Sequence, residues 1–214
     1  MKKFNFVAKT KTSWIAAGVL TAIISVPASA QWYAGAGVGS SNVTGINGSE
    51  TDGPNNFTLS GGTRATSWKL YGGYQFTPNW GVEAQYTDLG KRSATVTLSG
   101  AVVGSGGLNA SASQWGIAGT GTLPLSNNFY LLGKLGVSRN KIDNVTATIG
   151  GVTVSGSGTG KTDLLAGLGV GYNFNKNVGV RFEYENFGKF SSNGGVGGSA
   201  IKGDNWGISL KYAF

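Results

Sequence analysis

One pattern recurs along the chain: segments of roughly ten residues in which apolar side chains alternate with polar or small ones. An alternation of two puts every second residue on one face of a strand, and a helix cannot present it as a face. The last segment is the clearest. Trp206, Ile208, Leu210, Tyr212 and Phe214 share one parity, against Gly207, Ser209, Lys211 and Ala213. Val178, Val180, Phe182 and Tyr184 likewise oppose Gly179, Arg181, Glu183 and Glu185. Trp80, Val82, Ala84 and Tyr86 oppose Gly81, Glu83, Gln85 and Thr87; Trp68, Leu70, Tyr74 and Phe76 oppose Lys69, Tyr71, Gly73 and Gln75. Segments 31–40, 114–123, 129–138 and 162–174 read the same way with more glycine, which makes eight strands.

The connections alternate as well. Thr77-Pro78-Asn79, Pro124 to Asn128 and Asn175-Lys176-Asn177 are short, whereas 41–65, 89–113, 139–161 and 188–203 are long and rich in Gly, Ser, Thr and Asn. Short turns at one end and long loops at the other predict an all-β fold: an eight-stranded antiparallel up-and-down transmembrane β-barrel with three short periplasmic turns and four long extracellular loops. A soluble barrel of lipocalin type would turn the apolar face inward. Here the charged face carries most of the glycine, and small residues suit a narrow lumen. Aromatics also gather at the segment ends, with Trp32, Tyr74, Phe76, Trp80, Phe129, Tyr172, Phe174, Tyr212 and Phe214 toward the short turns. Trp68, Tyr86, Trp115, Tyr184 and Trp206 lie toward the loops. Two aromatic girdles at two membrane interfaces account for that sorting, and a soluble core does not.

The first thirty residues read as an export signal. Lys2, Lys3, Lys9 and Lys11 precede an apolar run from Ile15 to Val26, followed by Ala28-Ser29-Ala30, an A-x-A cleavage pattern. The expected organisation is a cleaved secretory signal peptide at 1–30 and a barrel at 31–214. The chain carries 17 Lys and Arg against 9 Asp and Glu, a formal +8. Four of those bases belong to the leader, so the remainder carries +4, which weakens any nucleic-acid reading. With no His and no Cys, disulfide scaffolds, thiolate zinc sites and Ser-His-Asp catalysis are excluded.

These residues support a family resemblance. The leader, the eight segments, the repeats YGGYQFTPNWGVEAQYTDLG (71–90) and YNFNKNVGVRFEYENFG (172–188) and the last strand together resemble the OmpA-like family of small outer-membrane barrels. The resemblance implies residence in the outer membrane of a Gram-negative cell, among its lipid and lipopolysaccharide, after export through the periplasm. It further implies that Tyr212 and Phe214 form the C-terminal signal read by the barrel-assembly machinery, with periplasmic chaperones as earlier partners. No peptidoglycan-binding domain follows the eighth strand, so cell-wall tethering is not carried over.

Eight strands enclose a space that side chains can fill. The inward parity holds Lys69, Lys134, Arg181 and Lys211 against Glu83, Asp163, Glu183 and Glu185. Buried charges require partners, so an interlocking network is expected, either as a polar plug or as a salt-bridge gate in a water or ion path. Glu183 and Glu185 also invite a glycosidase-like reading, which lacks a substrate cleft. The run ending Gly160-Lys161-Thr162 imitates a phosphate-binding loop one residue short and without a βαβ unit. No catalytic residue, metal site or cofactor is expected.

Function should then lie in the loops. Residues 94–103 and 144–154 alternate like strands around glycine turns. By parity Val96 and Leu98 continue the outward face of the Trp80 strand, Val145 and Ile149 that of the Phe129 strand, and Val152 and Val154 that of the 162–174 strand. Two hairpins projecting as one four-stranded sheet are expected, with edges open to β-augmentation; flexible loops are the alternative. Arg64, Lys91, Arg92, Arg139, Lys141, Lys161, Lys189 and Lys202 fall in or beside the loops as candidate contacts for lipopolysaccharide phosphate. The leading reading is a non-enzymatic envelope protein with surface-exposed loops. An adhesin or resistance factor comes second and a narrow channel third.

Overall fold

A computed structural model describes residues 31–214 apart from 102, 150 and 157; the expected leader at 1–30 lies outside the described residues. Among these residues eleven strands follow in order: β1 (Gln31–Thr44), β2 (Gly48–Asp52), β3 (Asn55–Gly61), β4 (Arg64–Gln75), β5 (Trp80–Ser99), β6 (Gly104–Pro124), β7 (Phe129–Ile149), β8 (Val152–Gly156), β9 (Thr159–Asn173), β10 (Val178–Ser191) and β11 (Ile201–Ala213). Strands β1, β4, β5, β6, β7, β9, β10 and β11 pair antiparallel in that sequence. Strand β1 then pairs with β11 from Tyr33↔Ala213 to Thr44↔Lys202 and closes the ring. This is the expected eight-stranded barrel.

Each short turn has a local cause. Thr77 Oγ1 accepts the backbone N–H groups of Asn79 and Trp80 at 3.3 and 3.0 Å. Asn175 Oδ1 does the same for Asn177 and Val178 at 2.9 and 2.8 Å. Asn127 and Asn128 turn through φ of 56° and 66°, a left-handed region that Asn enters more readily than most side chains.

The apolar parity faces outward, with Leu70, Ile117, Leu135, Leu168 and Leu210 exposed around the middle of the barrel. Rings stack laterally at the short-turn end, Trp32 on Tyr74 at 4.8 Å and Phe129 on Tyr172 at 4.8 Å. At the loop end Tyr86 meets Trp115 at 4.7 Å and Tyr184 meets Trp206 at 4.6 Å. Both girdles are therefore present.

Strands β5, β6 and β7 run 20, 21 and 21 residues, about twice the 9–11 that a tilted strand needs to cross a bilayer. Their upper halves leave the ring. Strand β5 pairs with β4 below Asp88 and with β3 above Ala94; β7 pairs with β9 as far as Ile142 and with β8 beyond Val145. The projection is thus a six-stranded sheet in the order β2-β3-β5-β6-β7-β8, larger than the expected four. The additional hairpin comes from 41–65. It is pinned by Asn47, whose amide exchanges hydrogen bonds with the backbone of Gly61 at 2.9 and 3.0 Å.

The expected parity of the projecting strands is corrected by bulges. In β5 the register slips between Asp88 and Lys91, where Gly90 has φ 80° and donates to Asp88 Oδ1 at 2.7 Å. In β10 it slips after Asn186, where Gly188 has φ 67° and donates to Asn186 Oδ1 at 2.9 Å. A third slip in β7 coincides with Asn144 at φ 53°. An extra residue turns every later side chain to the opposite face. Ala94 and Val96 are consequently buried rather than outward, as is Phe190, and Val145 lines an internal cavity. Val152 and Val154, on the edge strand β8, are exposed.

Candidate functional site

The lumen is filled in layers. In the middle of the membrane-spanning part, three cations and three carboxylates are almost completely buried. Lys134 Nζ touches all three acids: Glu83 Oε1 at 2.5 Å, Glu183 Oε1 at 2.7 Å and Glu185 Oε1 at 3.2 Å. Lys69 Nζ reaches Glu183 Oε2 at 2.6 Å and Glu185 Oε2 at 3.1 Å, while Arg181 Nη1 reaches Glu83 Oε2 at 2.8 Å. The cluster ties β4, β5, β7 and β10 across the bore. In this low-polarity space each charge is sustained by its partners, and removing one would strand the others.

Register explains why such long side chains fit. Glu83 lies level with Gly73 and Ala118, Lys69 with Gly37 and Thr87, Lys134 with Thr120 and Gly167, and Glu183 with Gly169 and Gly207. Each of these four is thus flanked by small neighbours. Three tyrosines that sequence reasoning left unassigned complete the layer. Tyr33 donates to Glu83 Oε2 at 3.1 Å, Tyr71 meets Ser209 Oγ at 3.2 Å, and Arg181 Nε donates to the Tyr130 hydroxyl at 3.3 Å. Their rings lie against glycines. A Cβ on Gly35 would stand 2.2 Å from Tyr71 Cζ, and one on Gly73 would stand 2.3 Å from Tyr33 Cζ. The signal for these tyrosines was their inward parity among glycines.

Two of the eight expected lumen charges stand apart. Asp163 sits at the loop end, where Oδ2 accepts the Lys189 backbone N–H at 2.9 Å and so braces the Gly188 bulge. Lys211 lies toward the short turns, 5.3 Å from the Tyr130 ring centroid, and no carboxylate of the described residues is within 4.0 Å of it. Above the ions come Gln85 and Gln114, then an apolar layer that was not expected: Val43, Leu89, Leu165, Phe187, Phe190 and Ile201. Leu89 and Phe187 precede the two bulge glycines, in the matching runs Asp88-Leu89-Gly90-Lys91 and Asn186-Phe187-Gly188-Lys189. That recurrence was the available signal. Both amide atoms of buried Gln85 lack a protein partner among the described residues.

Of the rim cations, Arg64, Lys91, Arg139, Lys141, Lys189 and Lys202 are exposed. Lys161 is half-buried and donates to Ser192 Oγ at 2.5 Å. Arg92 departs from the expectation: it points inward, buried, as the Gly90 bulge requires. Lys189 and Lys202 stand directly opposite each other on β10 and β11, a juxtaposition that repels unless an anion is shared. Gly160, Lys161 and Thr162, the end of the phosphate-loop look-alike, lie within strand β9. Tyr212 and Phe214 meet edge-on at 5.2 Å beside the seam, where the Phe214 N–H donates to the Trp32 carbonyl at 2.9 Å.

Solved structures share this fold. Ail of Yersinia pestis, in complex with the heparin analogue sucrose octasulfate, is 17% identical, with a TM-score of 0.51 over 87% of this chain and 99% of that one. OprG of Pseudomonas aeruginosa is 14% identical, with a TM-score of 0.51 over 87% of this chain and 96% of that one. No curated protein matches the sequence. Residues 15–214 match the outer membrane protein beta-barrel domain, and the chain belongs to that family of outer-membrane proteins.

Proposed function

We propose that this protein is a non-catalytic envelope component: a barrel closed across the bilayer that holds an ordered sheet above the outer surface. The carrying observation is the buried six-charge cluster with an apolar layer over it. An ion entering the bore would have to displace Lys134 from three carboxylates and then cross packed Leu89, Phe187 and Phe190. The lumen charges Lys69, Glu83, Lys134, Arg181, Glu183 and Glu185 act in this reading as a plug. Single-channel recording of the purified barrel in planar bilayers is expected to show no resolved steps, either for the wild type or for Glu83→Ala. Steps in both would replace this reading with that of a channel.

The six-stranded projection, together with the exposed cations of the rim beneath it, favours a second role, recognition of an anionic surface. Arg64, Lys91, Arg139, Lys141, Lys189 and Lys202 are exposed, and a phosphate or sulfate bound between Lys189 and Lys202 would relieve the repulsion of that pair. The related Ail structure contains a heparin analogue, which makes a sulfated glycan the natural comparison with lipopolysaccharide phosphate. Replacing Lys189 and Lys202 by Ala should weaken lipopolysaccharide binding severalfold at low salt. Unchanged binding would remove this pair from the site. Tyr212 and Phe214, at the short-turn end, fit the assembly signal that periplasmic chaperones and the assembly machinery would read before closure.

A further inference from the structure

Above the apolar layer, and clear of the membrane, the projecting sheet and the segment before β11 line a partly open cavity of about 410 Å³. Its wall is mostly apolar, with Val43, Phe57, Leu59, Leu108, Ile142 and Ile201 among the lining residues. Pockets of this size and character, with few polar groups, are where small molecules bind. Its two charged lining residues are unequal. Glu50 also lines the cavity but is exposed, whereas Arg92 is buried in its wall at 8% exposure.

The Arg92 guanidinium is held by neutral acceptors. Nε donates to the Thr63 carbonyl at 3.1 Å, Nη1 to the Leu89 carbonyl at 3.1 Å, and Nη2 to Ser41 Oγ at 2.6 Å. No carboxylate of the described residues lies within 4.0 Å of it, and Asp204 is engaged by the Asn42 amide at 3.3 Å. Burial draws its pKa down to about 10, against the opposing charge of Asp204. In the lumen every cation of the cluster meets a carboxylate; this one is positioned by the fold with no carboxylate in contact, Asp204 acting only from beyond 4.0 Å. A buried charge of this kind is costly unless something neutralises it.

We propose that the cavity binds a free single-chain amphiphile with one negative charge, a medium-chain carboxylate whose head sits at Arg92 and whose chain fills the apolar wall. The volume sets the length: at roughly 30 Å³ per water-sized group it accommodates about a dozen such groups, the size of decanoate. The inference goes beyond the scaffold role and does not depend on it, because a closed barrel without this ligand remains a closed barrel.

The test uses the full barrel in phosphatidylcholine nanodiscs, titrated calorimetrically against empty discs. Decanoate is expected to bind saturably, one per barrel, with affinity falling about fourfold for each methylene removed. Arg92→Gln should weaken decanoate at least about tenfold while leaving decanol little changed. Because Arg92 also braces Ser41 and Leu89, Leu108→Trp supplies a second variant that keeps the guanidinium and fills the cavity; it should abolish binding of both probes. Decanol or decyltrimethylammonium binding as tightly as decanoate would overturn the proposal, as would undiminished binding by Leu108→Trp. If phosphatidylglycerol in the disc suppressed decanoate binding, the occupant would be a bilayer lipid, and the free-ligand proposal would fail.

Discussion

The membrane-spanning and projecting halves of β5 obey opposite rules with one alternation. Between Trp80 and Thr87 the even residues are apolar and face outward, while Glu83, Gln85 and Thr87 face a polar bore. From Ala94 onward the even residues are again the apolar ones, yet Ala94 and Val96 now face inward. The medium outside explains the reversal. Lipid surrounds the lower half and accepts apolar side chains; water surrounds the upper half and drives them together. A strand with fixed parity cannot serve both media unless it slips by one residue, and the bulge supplies that slip. Strand β10 solves the same problem with Asn186-Phe187-Gly188-Lys189, and β7 with Asn144. Strand geometry thus locates where lipid gives way to water.

The largest expected effect falls on the lower region. Lys134→Met leaves three carboxylates facing two remaining cations and should cost about 3–5 kcal/mol of barrel stability, read as a lower urea midpoint in lipid vesicles. If the loss were under about 1 kcal/mol, the ions would not organise the bore, and the contrast with the apolar upper layer would lose its basis. An intermediate effect tests the boundary itself. Gly90→Val forces a β-branched residue into φ 80°, at a cost of about 1–3 kcal/mol. Amide exchange should accelerate in 94–99 while 81–88 stays protected. Equal acceleration in both stretches would mean that the two halves of β5 are one cooperative unit. The smallest effect belongs to the surface: Val154→Lys on the exposed edge strand β8 should shift stability by less than about 0.5 kcal/mol. A larger loss would show that β8 is packed against something that its exposure does not reveal.

The barrel itself was legible because strand period, aromatic sorting and turn length are local properties that survive in one dimension. Of the hairpin expected at 94–103, the first strand could be anticipated from its alternation, although the returning strand begins at Gly104 rather than at Ala101. The hairpin at 48–61 could not, since the Asn47–Gly61 clasp joins residues fourteen apart without a period to announce it. For the lumen, parity picked out all six members of the ion cluster, but parity has no depth. It could not separate Asp163, which braces a bulge, or Lys211, which lies toward the short turns. Arg92 reads as a rim cation in the alternation because the slip at Gly90, a matter of backbone geometry, leaves no mark in it.

Sequence alone therefore determined the class of molecule: alternation too regular for a helix, apolar and aromatic on one face, small and charged on the other, in eight passes. Only the tertiary structure decided which charges meet, because meeting depends on the register between strands far apart in the chain. It also decided which side chains are inside above the membrane, because one inserted residue reverses a face without altering composition. Tyr71 seated against Gly35 and Arg92 turned into an apolar cavity follow from that geometry, since parity gives Tyr71 a face but not its partner and gives Arg92 the wrong face.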